Sequence, residues 1–204
     1  MKIGPKYKIG KRLGASVFEK CQTQKFMLSE SRTANRIGRR RKAPRSDYGK
    51  QFLEKQKVRY TYGVSEKQFK NYIKTATDSR KNNPSEILFR LLENRLDNVV
   101  YRMGLSGTRR GARQMVSHGH VLVNNHKVTI PSYHISAGDM IAIRDGSKNS
   151  NLFVNLPEKL KEHNSPSWVS YDEKKGLGKV SGLPTYQKSE LAFDLSPVLE
   201  FYSR

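Results

Sequence analysis

Glu93-Asn94-Arg95-Leu96-Asp97-Asn98-Val99-Val100-Tyr101-Arg102-Met103-Gly104, continued after a short link by Gln114-Met115-Val116-Ser117-His118-Gly119-His120-Val121-Leu122-Val123-Asn124, is the stretch that decides how this chain is read. Leu88, Leu91, Leu92, Leu96, Val99 and Met103 fall on one face of a helix that Gly104 stops. Thr108 caps a second, short helix that runs to His118 and ends at Gly119. Val121-Leu122-Val123, the Asn124-Asn125 turn and a return strand at 127–130 follow. On the short helix Ala112, Met115 and Val116 must face inward. Arg109 and Arg113, four apart, share one outer face, and Arg110, Gln114 and Ser117 make a neighbouring one. A helix this short with three outward cations asks for a counter-anion. Arginine's planar fork pairs bidentately with phosphate and stacks on bases. A-form RNA offers phosphates and 2′-hydroxyls to such a surface.

The rest of the chain agrees with a polyanionic partner. The 204 residues carry a net charge of +21, with only 35% hydrophobic residues, and the mean hydropathy is −0.75. Self-repulsion on this scale opposes compaction unless a polyanion neutralises it. The charge is uneven: residues 1–60 hold +14, residues 61–150 hold +7, and residues 151–204 are neutral. The run Arg39-Arg40-Arg41-Lys42 has no acid beside it, so polyanion binding explains it better than a solvated face. Nucleic acid is the first candidate partner and an anionic membrane surface the second. No segment is long and apolar enough to span a bilayer, and residues 1–20 lack a continuous signal core, so an intracellular protein is expected.

Residues 1–45 show no sustained apolar period and read as an irregular basic arm. Ser46 or Asp47 opens a helix that Gly63 stops, and Ser65 with Gln68 forms a capping box for the next. Asn83, Pro84 and Glu86 mark the start of the helix that leads into the deciding stretch. Beyond it, 140–144 reads as a strand, 152–163 as a weak helix, 168–171 and 179–180 as strands, and 195–202 as a short closing element.

Catalytic and metal chemistry find little support. Acids are scattered singly, no serine or cysteine nucleophile has a surrounding motif, and no phosphate-loop pattern appears. Cys21 is the single cysteine, so neither a disulfide framework nor a cysteine-rich zinc site is available. His118 and His120 lack a placed third ligand, and His118 reads better as a phosphate or ribose donor. Arg95 and Arg102 share a side of the preceding helix. Pairing with Glu93, Asp97 or Asp139 accounts for one of them, and Asp97 reads as a structural partner. Tyr48, Tyr60, Tyr62 and Tyr72 could stack on bases, but their helical spacing favours core packing.

Several motifs together resemble the small-subunit ribosomal protein four family of bacterial and organellar type. They are Gly4-Pro5-Lys6 with Lys11-Arg12-Leu13-Gly14; Ser46-Asp47-Tyr48-Gly49 with Glu54-Lys55-Gln56-Lys57-Val58-Arg59; Tyr62-Gly63-Val64 with Lys67-Gln68-Phe69; the run from Leu96 to Gly104; and the ending Glu200-Phe201-Tyr202-Ser203-Arg204. Three departures stand out. Ile37-Gly38-Arg39-Arg40-Arg41 replaces a Pro-Gly-Gln-His-Gly stretch common in the family, Cys21 stands alone where some members carry a four-ligand N-terminal zinc site, and the region around 184–191 is altered. The resemblance implies a primary binder of small-subunit rRNA that nucleates assembly of the subunit body. It also implies contact with small-subunit ribosomal protein five and other small-subunit proteins, an influence on decoding accuracy, and a place near the mRNA entry path.

The expected fold is α+β: a mostly helical domain, an inserted α+β RNA-binding domain of two helices packed on a small, mostly antiparallel sheet, and a basic irregular N-terminal arm. The arm is placed at 1–45, the helical domain at 46–91 joined by 172–204, and the RNA-binding domain at 92–155, with 156–171 as its extension or linker. The candidate RNA-binding residues are Arg39, Arg40, Arg41, Lys42, Arg45, Tyr48, Lys55, Arg59, Arg95, Arg102, Arg109, Arg110, Arg113, Gln114, Ser117, His118 and Asn124. No catalytic residue, cofactor or metal is expected, and no membrane partner. The expected location is the ribosome, in the cytoplasm or an organelle. The competing reading is a non-ribosomal RNA binder with the same domain, either an RNA-modifying enzyme or a binder of stalled ribosomes. Residues 150–204 are too short for a catalytic domain, and the motifs in residues 1–70 disfavour the second.

Overall fold

The computed structural model describes residues 3–14, 17–37, 46–79, 83–150, 152–173, 175–187 and 191–203. In chain order these form α1 (Lys6–Leu13), a 3₁₀ turn (Glu19–Gln22), α2 (Gln24–Ile37), α3 (Asp47–Tyr62), α4 (Glu66–Asp78), α5 (Pro84–Glu93), α6 (Leu96–Arg102), α7 (Arg109–Ser117), β1 (Val121–Val123), β2 (His126–Lys127), β3 (Met140–Ile143), α8 (Asp145–Lys148), α9 (Leu156–Glu162), β4 (Val169–Asp172), β5 (Leu177–Val180) and α10 (Ser196–Ser203). The chain divides into two units, one of residues 1–85 with 187–204 and one of residues 86–186. The α+β class is as expected.

In the helical unit the local signals act as read. The Ser46 hydroxyl accepts from Gly49 N at 3.2 Å and the Ser65 hydroxyl from Gln68 N at 3.3 Å, each satisfying one orphan donor at a helix start. The closing helix α10 returns onto α3, where the Phe201 ring centroid lies 5.3 Å from that of Tyr48 and 6.2 Å from that of Phe52. Gln51 donates to Glu200 at 2.9 Å across the same contact.

The N-terminal segment departs from expectation. Its described residues are helical and packed, not an irregular arm. Leu13, Val17, Phe18, Cys21 and Phe26 form one buried cluster with Leu53 of α3, and Tyr7 meets Phe26 edge-on at 5.4 Å. The core residues come from two helices and the turn between them, so their spacing follows no single period. Burial of Cys21 in this cluster pushes its thiol pKa above the ordinary value.

The second unit holds a five-stranded antiparallel sheet in the order β2-β1-β3-β5-β4. Its core takes Leu96, Val99 and Val100 from α6 and Met103 at its end, Ala112, Met115 and Val116 from α7, and inward residues of the strands. The inward face predicted for α7 is therefore correct. Two expectations shift. The helix read as continuous to Gly104 breaks after Glu93, because the backbone there pairs with a distant segment: Leu96 N donates to Tyr133 O at 2.9 Å and Ile135 N to Asn94 O at 2.8 Å. Residues 156–171, expected as an extension of the RNA-binding domain or a linker, and residues 172–186, expected with the helical domain, both group with the second unit, where β4 and β5 widen the sheet. Gly178 lies close against Met103, and a Cβ there would stand 2.5 Å from its sulfur. Gly104 closes α6 at φ +80, a conformation that favours glycine, and the His163 ring packs over it.

Candidate nucleic-acid interface

The interface is built on α6 and α7, and its base is a pair of buried carboxylates. Glu93, fully buried, accepts from Arg102 Nε and Nη2, both at 2.8 Å, and from Asn98 Nδ2 at 2.9 Å. Asp97, 4% exposed, accepts from Arg95 Nε at 3.0 Å and Nη2 at 2.8 Å. Arg113 Nε reaches the same carboxylate at 3.2 Å. Arg109 Nε donates to Asn98 Oδ1 at 2.8 Å while its guanidinium lies 4.4 Å from the Tyr101 ring centroid. The four arginines thus fall into two clusters, Arg102 and Arg109 around Glu93 and Asn98, and Arg95 and Arg113 on Asp97.

This sorts the predicted residues by role. Arg95, 1% exposed, lies inside the domain and is a structural partner of Asp97, not a surface contact. Both Arg95 and Arg102 are acid-paired, where the sequence reading assigned such a partner to one. Arg102, Arg109 and Arg113 are half-buried, held in fixed orientation with part of each side chain at the surface. Arg110, Gln114, Ser117 and His118 are exposed on the other side of α7. Asn124 sits in the left-handed region at φ 49, with its amide donating to Asp139 at 2.9 Å and accepting from Met140 N at 2.9 Å. Its side chain shapes the β1–β2 turn.

In the helical unit Lys55 is buried, contrary to its reading as a contact residue. Its ammonium pairs with Glu66 at 2.9 Å and lies 4.5 Å from the Phe201 ring centroid. Arg59 reaches the same carboxylate at 2.6 Å, and the Tyr202 hydroxyl donates to it at 2.5 Å. Partial burial would raise the Glu66 pKa, but the hydrogen bonds from Tyr202 and Lys55 and the charges of Arg59 and Lys55 outweigh it and hold the carboxyl below its usual range. Burial and the same bond push the Tyr202 hydroxyl pKa up. Tyr48 is 56% exposed and packs on Phe52 and Phe201. Arg39, Arg40, Arg41, Lys42 and Arg45 lie outside the described residues.

Sequence reasoning missed Ser106, Gly107, His120 and Leu152, which line a cleft beside α7. No local pattern could show it, because Leu152 comes from a distant segment. His120 is fixed by Ser147 Oγ at 2.9 Å from its Nδ1.

Among the described residues no group of three or more His, Cys, Asp or Glu is arranged to hold a metal, and no helix is long and apolar enough to cross a membrane. Excess chelator should therefore leave both the melting temperature and RNA affinity unchanged, with no stoichiometric zinc by elemental analysis. One equivalent of zinc, lost together with the folded signal, would overturn that expectation.

Residues 1–93 match the pattern of the ribosomal protein S4/S9 N-terminal domain, and residues 94–141 match the S4 domain. A small ribosomal subunit protein uS4 from Persephonella marina is 43% identical over 203 residues, covering 98% of both chains. The chain belongs to the ribosomal protein uS4 family. Further uS4 relatives are those of Chromobacterium violaceum, 43% identical, and Aquifex aeolicus, 40% identical, each covering 99% of this chain and 98% of its own. The S4-domain match runs from Asn94 through α6, α7, β1 and β2 into β3, and so contains the four arginines, Asp97, Asn98 and the open face of α7, with Glu93 just before it. As a uS4 family member the chain is a structural protein of the small ribosomal subunit and not an enzyme.

Proposed function

We propose that this protein is a primary binder of small-subunit rRNA that nucleates assembly of the subunit body. One observation carries the reading: α7 has two working sides. Arg109 and Arg113 are pre-oriented by Asn98 and Asp97, while Arg110, Gln114, Ser117 and His118 stand open beside them. Pre-oriented guanidinium groups lose less side-chain freedom when phosphate arrives. A folded RNA junction presents phosphates and 2′-hydroxyls in a shape such a surface can match. By family resemblance the protein also contacts small-subunit ribosomal protein five and other small-subunit proteins, lies near the mRNA entry path and influences decoding accuracy. Its place is the ribosome, and it should sediment with the small subunit at low salt.

Arg110→Ala and Arg113→Ala separate contact from support. Arg110→Ala should weaken rRNA binding by about 1–3 kcal/mol with an unchanged melting temperature, as expected for loss of an exposed charge-assisted bond. Arg113→Ala should weaken binding and also lower the melting temperature, because Asp97 loses a partner. Binding isotherms beside thermal melts measure both. Full affinity in Arg110→Ala would remove the open side of α7 from the interface.

A further inference from the structure

Beside the open face of α7 lies a cleft of about 190 Å³. Leu105 and Met115 supply apolar floor, Leu152 is a wall left 52% exposed, and Gln114, His118 and His120 stand around it. None of the residues lining it is acidic. The His120 ring is held edge-on to Phe153 with centroids 6.2 Å apart, and the His118 and His120 rings lie 6.1 Å apart. Contact with an RNA backbone alone does not account for this composition, because phosphates and riboses gain nothing from an exposed leucine. A nucleobase does fit it. Its faces are apolar and stack on imidazole or aliphatic surfaces, and its edge carries donors and acceptors that the Gln114 amide can meet. Arg110, one helical turn before Gln114 and exposed, is placed for the phosphate of the same nucleotide. The exposed Arg110 nearby and the lack of acids in the lining favour a nucleotide over a protein side chain.

We propose that this cleft receives one unpaired nucleobase of the rRNA, turned out of its strand. The inference rests on the rRNA-binding reading above and names one nucleotide contact within it.

Gly107→Leu tests it. Gly107 lines the cleft, a Cβ there would meet no atom within 4 Å, and its backbone lies outside the left-handed region. The added side chain therefore places apolar bulk at the lining of the cleft without a clash at its root and without removing a cation. With full-length protein and small-subunit rRNA, affinity should fall about 5- to 150-fold, the span for loss of one base stack. The melting temperature and the salt slope should stay as in the parent. Reagents that attack Watson–Crick edges should find one unpaired base protected by the parent protein and reactive with the variant. If Gly107→Leu melts early, Leu152→Ser, which removes an exposed wall, is read in its place and should expose the same base. Weakened binding by Arg110→Ala, with affinity and every base reactivity unchanged in the cleft variant, overturns this proposal alone. No effect from either Arg110→Ala or the cleft variant overturns the rRNA-binding reading of this face. An unchanged rRNA footprint with impaired joining of a neighbouring small-subunit protein also overturns it, making the cleft a protein-docking site.

Discussion

Asp97→Ala should destabilise the second unit by about 3–5 kcal/mol, the usual cost of removing one partner from a buried ion pair. Arg95 is 1% exposed and sends both Nε and Nη2 to this carboxylate, at 3.0 and 2.8 Å. Without Asp97 a guanidinium stays in the interior with its bidentate acceptor gone, and Arg113 loses its anchor as well. The single tryptophan, Trp168, packs against this unit's core and reports its unfolding by fluorescence. In a unit of this size the loss corresponds to a melting shift of about 12 °C or more. Replacing both partners, Arg95→Met with Asp97→Leu, should recover most of the stability, since an apolar pair of similar volume needs no desolvation of charge. Affinity for rRNA should still be reduced in the double variant, because Arg113 is no longer oriented. A loss below about 1 kcal/mol in Asp97→Ala would show that the pair is hydrated and not the base of the interface.

What was legible in the sequence was what local chemistry controls. Thr108, whose hydroxyl accepts from Gly111 N at 3.0 Å, and the Asn124-Asn125 turn with both residues at positive φ follow from the preferences of their own residues. The inward face of α7 followed from spacing alone. What stayed hidden depends on partners far along the chain. Arg95 leaves the helix because residues 133–135 offer its neighbours backbone bonds, and nothing near Arg95 signals that. Leu13, Phe18, Cys21 and Phe26 look irregular until their helices fold onto Leu53. The β4–β5 hairpin joins the sheet by pairing β5 with β3, a partner far along the chain and invisible in composition. The site was legible in the same proportion. Charge spacing found α7, but it could not tell Arg110, which is open, from Arg109 and Arg113, which bind Asn98 and Asp97 first.

Between 50 and 200 mM salt, affinity for small-subunit rRNA should fall by about 2.4 to 5.4 powers of ten, given about 6–10 phosphate contacts. The log–log slope should lie at about −4 to −9, depending on how much of the bound RNA is duplex or single strand. The number of contacts is far below the 39 Lys and Arg of the chain, because many of these are occupied internally. Lys55 and Arg59 share Glu66, Lys57 pairs with Glu54 at 2.6 Å, and Arg95 is buried on Asp97. An ammonium or guanidinium already neutralised by a carboxylate releases few counterions when RNA binds. The slope therefore counts the cations the fold leaves outward, and point variants should read it out one residue at a time. Arg110→Ala should make the slope shallower by about one unit, whereas a Lys55→Met change, if it folds, should leave the slope as it was. The two variants thus separate outward charge from charge used to hold the fold. A slope near zero for the parent protein would mean that shape and stacking, not cation–phosphate contact, drive its binding. Equal slopes for the parent and Arg110→Ala would mean that the cations at the interface lie elsewhere than on the open face of α7.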